Sequence, residues 1–496
     1  MKKPNILLIT CDQMRADAMG CVGNPIVKTP NLDALAASGI NFANAYTPYP
    51  VCEPARASIT TGMYPHKCLV FNPKSGGEEI TDFPVLGTEL TKLGYTTYAM
   101  GKLHYHPYTP PGQPKTTHGI QHVEFAESGR WANLYDGAAG LEDYLDYLEA
   151  VGWGGYSRAH AVGNNDIFPT VSPLPEEHYV DSWVASRAVS HMQQHLEDTP
   201  DKPFFMWASF PKPHSPYDPP RPYDAMYDPR EIPLPIGTID DIRNRGLDED
   251  YARYFKYQWD TVSDAAKQVI LAHYYGLISF QDKQVRRMLD FLQQAGVRDN
   301  TIVIFTADHG DMMGDFGLYF KTVMYRGSID VPFIVSYPNG LPANIVSNEL
   351  VGLQDIFPTL FAFAGKTDIN TDGLDLAPII KGEQPGRESY VAYFCTDEYP
   401  QNGRIALVTK DFKYIYTVSG GVEELYDMKN DPCEKNNLAT KPEFAALLCE
   451  KRSELHRWCV QNNHSQMLDG DRFKSLPKPD AASLKPVQNM FGRRRF

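Results

Sequence analysis

Short apolar runs that alternate with helical patterns constrain the fold of this chain more than any other feature. Residues 5–10, 204–210 and 301–306 are almost continuously apolar, which is typical of strands buried on both faces of a parallel sheet. Helical patterns are predicted between these runs, at residues 85–93, 179–196 and 264–295. The alternation predicts an α/β fold, with a large mixed, mostly parallel sheet sandwiched by helices.

The pattern changes after about residue 386. Residues 390–395, 404–409 and 412–417 indicate short antiparallel strands, and residues 444–460 indicate a helix. We therefore predict a smaller C-terminal α+β subdomain that carries an antiparallel sheet. The expected division is a main domain at residues 1–386, the subdomain at 387–473 and a tail at 474–496.

Composition and charge exclude several classes of protein. With 42% hydrophobic and 22% charged residues, the chain can bury a sizeable core. The net charge of −14 disfavours a nucleic-acid partner. No apolar stretch approaches the roughly 20 residues of a membrane helix, and the run at residues 6–9 is too short for a signal core. We expect a cytoplasmic protein without a membrane partner. The eight cysteines contain no Cys-x-x-Cys pair, which argues against zinc-ribbon and thioredoxin classes.

Polar residues follow two of the predicted buried strands at their carboxyl ends. Asp12 and Gln13 follow residues 5–10, and Asp308 and His309 follow residues 301–306. Open α/β sheets bind ligands at this edge, although either pair alone could be a simple turn. Together, the oxygen and imidazole groups fit a divalent cation, most readily Ca²⁺, with Mg²⁺ or Mn²⁺ as alternatives.

Three further segments carry groups suited to an anion. Lys102 and His104 leave a predicted strand end two residues apart, so both could reach one ligand. His214 lies between two prolines that stiffen its backbone, as a positioned acid requires. Lys321 follows aromatic residues and could either contact an anion or extend from a packed face to solvent. Each segment alone has an ordinary structural explanation.

The most specific motif is the run Cys52-Glu53-Pro54-Ala55-Arg56, which is closed by Thr61-Gly62. Pro54 is well placed as the first residue of a helix that extends to Ile59. Cys52 would then lie at a helix N-terminus, where the amide dipoles favour negative charge. The frame Cys-x-Pro-x-Arg followed by Thr-Gly resembles the signature of the type I sulfatases of the alkaline-phosphatase superfamily. The resemblance extends from Asn5 to about Asn437.

The resemblance implies a reaction, and it makes residues 1–386 the catalytic domain. In that family the cysteine is oxidised to formylglycine, whose hydrate attacks the sulfur of a sulfate ester. The implied catalytic residues are Cys52, Arg56, Lys102, His104, His214 and Lys321. The implied metal ligands are Asp12, Gln13, Cys52, Asp308 and His309.

Each implied role uses the chemistry of its residue. Arg56 would hold the hydrate, and Lys102 and Lys321 would bind sulfate oxygens. His104 would take a proton from the hydrate so that inorganic sulfate is released. His214, with Lys321, would protonate the leaving alcohol.

Two departures from the family pattern leave an alternative open. Gln13 stands where many relatives carry a second Asp, and Ala55 replaces the more frequent Ser. A phosphonate monoester hydrolase or phosphodiesterase of the same superfamily can share the Gln, but those relatives tend to lack the equivalent of Lys102 and His104. A non-catalytic binding protein on the same scaffold is the remaining alternative.

The expected substrate is the sulfate ester of a carbohydrate or of a small organic alcohol. Aromatic residues in glycine-rich loops could stack on a sugar or could pack locally: Trp131, Tyr135, Trp153 and Tyr156. The resemblance also implies a formylglycine-generating maturation enzyme as a partner. A homo-oligomer is compatible with the sequence.

Overall fold

Eight strands form the central sheet, and their bounds are β1 Asn5–Asp12, β2 Ile40–Tyr46, β3 Thr96–Gly101, β4 His122–Phe125, β5 Phe204–Pro213, β6 Thr301–Ala307, β7 Phe333–Ser336 and β8 Ile345–Gly352. The computed structural model describes residues 3–68, 70, 80, 82–104, 115–127, 140, 142–247, 262–396 and 400–478. The strand order is β4-β3-β5-β1-β6-β7-β2-β8. Only β7 runs antiparallel to its neighbours among these eight strands. The predicted mixed, mostly parallel sheet is confirmed.

Strand β1 shows why the apolar runs are continuous. Its residues Ile6, Leu7, Leu8 and Ile9 are all 0% exposed. Parallel neighbours β5 and β6 bond both of its edges, and the side chains of both of its faces are buried. The burial continues to Asp12 at the carboxyl end of the strand. The Asp12 carboxylate is thus buried at the carboxyl end of the central strands, where the predicted site lies.

Eleven α-helices are present in the described residues: α1 Pro30–Ala37, α2 Cys52–Thr61, α3 Leu86–Lys92, α4 Asp143–Ala150, α5 Val180–Asp198, α6 Ile239–Asn244, α7 Asp264–Gln294, α8 Arg326–Ile329, α9 Ile356–Phe363, α10 Leu376–Ile380 and α11 Ala445–Gln461. The long helices α5 and α7 pack on β5 and on each other. Helix α2, which begins at the signature cysteine, packs against α9 and α3. In the described residues, no helix is both long enough and apolar enough to span a bilayer.

A separate antiparallel sheet lies near the C-terminus, with strands β9 Ser389–Phe394, β10 Arg404–Thr409, β11 Phe412–Thr417 and β12 Val422–Asp427. Its order is β12-β11-β10-β9, and α11 packs on β10 and β11. The three predicted strands and the helix are confirmed, and a short ribbon of β13 Leu468–Asp469 and β14 Arg472–Phe473 follows. The division of the chain at residue 386 stays a prediction.

The structure differs from the predicted elements at several places. Helix α4 was not among the predicted helices. Its buried face of Tyr144, Leu145 and Leu148 is short and is flanked by glycines, so the sequence shows little helical periodicity there. Helix α2 begins at Cys52 rather than Pro54, and it ends at Thr61. Strands β4 and β8 are edge strands with exposed positions, so no continuous apolar run marks them. Trp131 and Tyr135 lie outside the described residues.

Candidate active site

The carboxyl ends of four adjacent strands bring the predicted site residues together. Strands β3, β5, β1 and β6 are consecutive in the sheet and mutually parallel. Lys102 follows β3, His214 follows β5, Asp12 ends β1 and Asp308 follows β6. Each of these four side chains is buried. Residues that are some 300 positions apart in sequence therefore share one enclosed site.

Cys52 lies at the centre of this site. Its Sγ is 3.1 Å from Lys321 Nζ, 3.2 Å from His309 Nε2 and 3.5 Å from Asp12 Oδ1. Lys102 Nζ is 3.9 Å away on another side. Val51 has an extended conformation and precedes helix α2. Cys52 is therefore the first residue of this helix and lies at its N-terminal end. Only 2% of the cysteine is exposed.

The surroundings of Cys52 favour a negative charge at its side chain. Burial and the Asp12 carboxylate raise the pKa of the thiol, but Lys102, Lys321 and His309 outweigh them and bring the pKa to about 7. The ordinary value is 9.0, so the local cations dominate despite full burial. An anionic oxygen at the same position would meet the same cations.

Four residues could together hold a metal ion. The ligand atoms of Asp12, Cys52, Asp308 and His309 all lie within 4.8 Å of one another. His309 Nδ1 is 2.9 Å from the Gly310 carbonyl oxygen, which can only accept a hydrogen bond. Nδ1 therefore carries a proton, so Nε2 is the ring nitrogen that could bind a metal ion. Two carboxylates and this imidazole fit a divalent cation.

Gln13 joins the same group through both ends of its amide. Its Oε1 accepts a hydrogen bond of 2.7 Å from Lys321 Nζ, and its Nε2 donates one of 2.5 Å to Asp311 Oδ2. Its backbone N–H donates to Asp308 Oδ1 at 3.0 Å, and its φ is 71°. The amide oxygen is thus directed toward the site.

Arg56 fixes the two carboxylates from one side. Its Nε donates to Asp308 Oδ2 at 3.0 Å, and its Nη2 lies 3.9 Å from Asp12 Oδ2. Its Nη1 donates to Ser209 Oγ at 2.7 Å and also to the Lys102 carbonyl oxygen. Burial lowers the pKa of Arg56, but Asp308, Asp12 and Cys52 outweigh it and raise the pKa above its usual value. The predicted contact of Arg56 with a hydrated aldehyde stays a prediction.

Cations contact the two buried carboxylates at the strand ends, Asp12 and Asp308. Lys102 Nζ donates to Asp12 Oδ2, and this pair is wholly buried. Asp12 keeps its charge, because Lys102, His214, Lys321 and Arg56 outweigh burial and hold its pKa well below the usual range. Lys321 is a third cation, which contacts Cys52 Sγ. Lys102 and Lys321 are therefore the cations of this site that could contact an anion bound at Cys52.

The backbones of the two predicted proton-transfer histidines are held close to the strand ends that form this site. His214 N–H donates to the Asp12 carbonyl oxygen at 3.0 Å, and its Nδ1 is 2.9 Å from the Ser215 carbonyl oxygen. His104 N–H donates to Glu127 Oε1 at 2.8 Å, with a φ of 61°. Both imidazoles are buried, and their backbones are held by long-range contacts. Their acid and base roles stay predictions.

Three residues of the site were not predicted from the sequence: Asp311, Glu127 and Ser209. Asp311 follows Gly310 directly, so its closeness to the Asp308-His309 pair was a usable signal. Glu127 and Ser209 carried no such signal. Ser209 reaches Arg56 because the sheet pairs Gly101 with Ser209 in register.

Comparison with known proteins identifies the family. The family model described as Sulfatase matches residues 4–366, and that described as N-sulphoglucosamine sulphohydrolase, C-terminal, matches residues 314–461. An arylsulfatase of Clostridium perfringens (strain 13 / Type A) is 32% identical over 463 residues, which cover 89% of this chain and 91% of the relative.

Solved structures share the fold. A phosphonate monoester hydrolase of Agrobacterium radiobacter has a TM-score of 0.77 at 24% identity, covering 93% of this chain and 96% of that one. A protein solved in complex with its substrate D-glucosamine-2-N,6-O-disulfate has a TM-score of 0.70 at 21% identity, covering 95% and 99%.

The match to the Sulfatase family model and the shared fold place the chain in the alkaline-phosphatase superfamily. Within it, the chain belongs to the sulfatase family and is a sulfuric ester hydrolase. The predicted family is confirmed.

Proposed function

We propose that this enzyme hydrolyses the sulfate ester of a carbohydrate or small organic alcohol to the alcohol and inorganic sulfate. The nucleophile in this proposal is a formylglycine derived from Cys52. The observation that carries it is the position of Cys52, whose Sγ lies within 3.5 Å of Lys321, His309 and Asp12. A reacting oxygen at that point would touch both the cations and the candidate metal ligands.

The proposal includes a divalent metal held by Asp12, Gln13, Asp308, His309 and the modified Cys52. Ca²⁺ is the proposed ion because oxygen ligands predominate, with Mg²⁺ and Mn²⁺ as alternatives. When bound, such an ion would polarise a sulfate oxygen and stabilise a deprotonated nucleophile.

The other residues act on charge and protons. Lys102 and Lys321 are proposed to bind sulfate oxygens, since both ammonium groups face Cys52 Sγ. Arg56 holds Asp12 and Asp308 in place. His214 is proposed to protonate the leaving oxygen, and His104 to take a proton from the nucleophile. Preorganised cations in a buried site stabilise the developing charge more than they could in water.

A phosphonate monoester hydrolase or phosphodiesterase is the second candidate. Its support is the fold shared with the Agrobacterium radiobacter enzyme and the glutamine at position 13. Lys102 and His104, together with the arylsulfatase relative, favour the sulfate ester. The neighbour solved in complex with its substrate D-glucosamine-2-N,6-O-disulfate supports a sugar alcohol. Of the aromatics considered for sugar stacking, Trp153 packs on Tyr156 with ring centroids 5.1 Å apart.

The proposal also names a maturation enzyme that converts Cys52 to formylglycine, and a cytoplasmic location. A homo-oligomer is compatible with it. These three statements rest on the sequence and on the family alone.

Mass spectrometry and a pair of assays test the proposal. The peptide containing Cys52 should show the mass of an aldehyde in place of the thiol. The same preparation should hydrolyse an aryl sulfate faster than an aryl phosphodiester. A clear preference for the phosphodiester would favour the second candidate.

A cysteine variant tests the nucleophile itself. Cys52→Ala should abolish sulfate release, whereas Cys433→Ala, at a partly exposed thiol near the C-terminal sheet, should leave it intact. Unchanged hydrolysis by Cys52→Ala would overturn the formylglycine mechanism.

A further inference from the structure

A buried carboxylate lies directly behind Gln13. Asp311 is 0% exposed, and both of its oxygens accept hydrogen bonds. Its Oδ2 accepts from Gln13 Nε2 at 2.5 Å and from Tyr217 OH at 2.8 Å. Its Oδ1 accepts from the backbone N–H groups of Met313 at 2.9 Å and Phe320 at 2.7 Å. Four donors thus surround one aspartate that has no role in the proposed reaction.

The partners of Gln13 decide which way its amide points. The Lys321 ammonium can only donate, so the amide atom 2.7 Å from it must be the oxygen. Asp311 Oδ2 accepts, so the amide atom 2.5 Å from it must be the nitrogen. If the amide were reversed, its NH₂ group would face the Lys321 ammonium and its oxygen would face Asp311 Oδ2, so neither contact could be a hydrogen bond. Only the observed orientation directs a ligand oxygen toward the site.

We propose that Asp311 is the positioning residue that makes Gln13 a metal ligand, an inference that rests on the proposed metal site. Metal sites commonly depend on such outer carboxylates, which fix the orientation of the ligands. An aspartate at position 13 would carry a negative charge that Gln13 lacks. Asp311 carries such a charge one hydrogen bond further from the metal position. Asp311 restores it without contacting the ion.

The two oxygens of Asp311 have separable tasks. Oδ1 organises the loop that leads to Lys321, because it binds the N–H groups of Met313 and Phe320. Oδ2 orients Gln13. In Asp311→Asn the amide oxygen can keep the loop contacts, and its NH₂ group then faces Gln13. Gln13 must turn its oxygen toward that NH₂ and its nitrogen toward the metal position.

Calorimetric titration of Ca²⁺ into the chelator-treated full chain tests the inference. Asp311→Asn should weaken Ca²⁺ binding about 10- to 100-fold, the usual effect of losing such a partner. Gln13→Glu alone should also weaken binding, because its carboxylate would lie against that of Asp311. The double variant Gln13→Glu with Asp311→Asn should recover most of the affinity, since the glutamate accepts from both the asparagine and Lys321.

Tyr217→Phe is the matched control. It removes the other hydrogen bond to Oδ2 and leaves the orientation of Gln13 unchanged, so Ca²⁺ affinity should change little. Thermal unfolding of the metal-free proteins shows whether Asp311→Asn is folded. If it is folded and binds Ca²⁺ as the wild type does, or if the double variant is weaker than both single variants, the inference is wrong.

Failure of this inference is distinguishable from failure of the proposed function. Calorimetry needs no substrate, and protein in which Cys52 has been converted carries the complete proposed set of ligands. No Ca²⁺ binding by the wild type would contradict the proposed metal site and the inference with it. Equal binding by wild type and Asp311→Asn would contradict only the role of Asp311.

Discussion

Arg56 shows how one residue holds the site together. Its guanidinium is 1% exposed and bonds Asp308 Oδ2, Ser209 Oγ and the Lys102 carbonyl oxygen. A planar group with five donors suits this set of acceptors, and a lysine could not bind all of them. The motif predicts an arginine at this position, but only the tertiary contacts show that it joins three strand ends.

Removing this arginine should cost stability as well as activity. Arg56→Ala leaves Asp308 buried without its cation, and the expected loss is about 3–5 kcal/mol in the free energy of unfolding. Urea denaturation of metal-free protein measures it. Arg230→Ala removes a fully exposed arginine–aspartate pair and should change stability little. Equal effects of the two substitutions would mean that the buried pair is not structurally important.

The proposed acid role of His214 predicts a dependence on the leaving group. His214→Asn should lower kcat/KM for an alkyl sulfate by about 10²–10⁴-fold, because an alkoxide leaves poorly without a proton. The loss should be much smaller for a nitrophenyl sulfate, whose leaving group is stable as an anion. Steady-state assays of both substrates measure the ratio. Equal losses would assign His214 to binding instead of acid catalysis.

At the scale of elements, the turn between β3 and Lys102 is fixed by a close approach of two strands. Gly101 has a φ of +107°, and a Cβ built there would lie 2.0 Å from the Ser209 carbonyl oxygen. The same carbonyl accepts from Lys102 N–H at 2.9 Å. The absence of a side chain thus lets the lysine enter the site directly from the strand.

Gly101→Ala should therefore destabilise more than an alanine at an unobstructed glycine. Gly94 has a similar φ of +92° and nothing within 4 Å of a built Cβ, so Gly94→Ala reports the backbone cost alone, about 1–2 kcal/mol. Gly101→Ala should cost about 1–3 kcal/mol more, because a strand must move. Urea unfolding compares the two, and similar values would show that the strands adjust easily.

The elements differ in how well local sequence predicted them. The buried strands β1, β5 and β6 were predicted because burial on both faces produces an unbroken apolar run. Helix α4 was not predicted, since three buried residues in a glycine-rich region leave little periodicity. Helix α2 was predicted two residues short at its start, because Pro54 fits several positions of a first turn.

At the scale of the whole molecule, two histidines join the main body to the C-terminal elements. His66 follows α2 and His464 follows α11, and their rings stack at 4.6 Å with an interplanar angle of 9°. His66 Nδ1 is 2.7 Å from Tyr393 OH on β9. His464 is 0% exposed, and its Nε2 has no hydrogen-bond partner among the residues that the structure describes. Both rings are therefore placed to stay neutral.

This contact should make stability depend on pH below neutrality. Burial and His66 lower the pKa of His464 to about 3, from an ordinary value of 6.5. As the pH falls below 6.5, the unfolded chain binds a proton that the folded protein does not, so the free energy of unfolding decreases. For this histidine the expected loss is about 2 kcal/mol between pH 7 and pH 5.

His464→Phe should remove that part of the pH dependence. Phenylalanine keeps the stacking and has nothing to protonate, so the loss of stability between pH 7 and pH 5 should shrink by about 2 kcal/mol. Urea denaturation at a series of pH values measures this. The two proteins should show parallel curves above pH 7, and parallel curves below it would contradict the role of His464.

Sequence alone was enough to predict the family and the mostly parallel sheet. Strand periodicity, polar residues at strand ends and the cysteine signature are local patterns. Each can be recognised from residues that are close together in the sequence. The resemblance to the sulfatase family then grouped Asp12, Cys52, Lys102, Asp308 and Lys321 into one predicted site. The tertiary structure decided how these groups are oriented.

Orientation depends on contacts between distant segments, which no local pattern encodes. The amide of Gln13 turns its oxygen to the site because Asp311 and Lys321, some 300 residues away, oppose each other across it. Arg56 reaches Ser209 because β3 and β5 pair in one register. Hydrogen bonds act over about 3 Å, so a role that rests on direction is decided only by the folded chain.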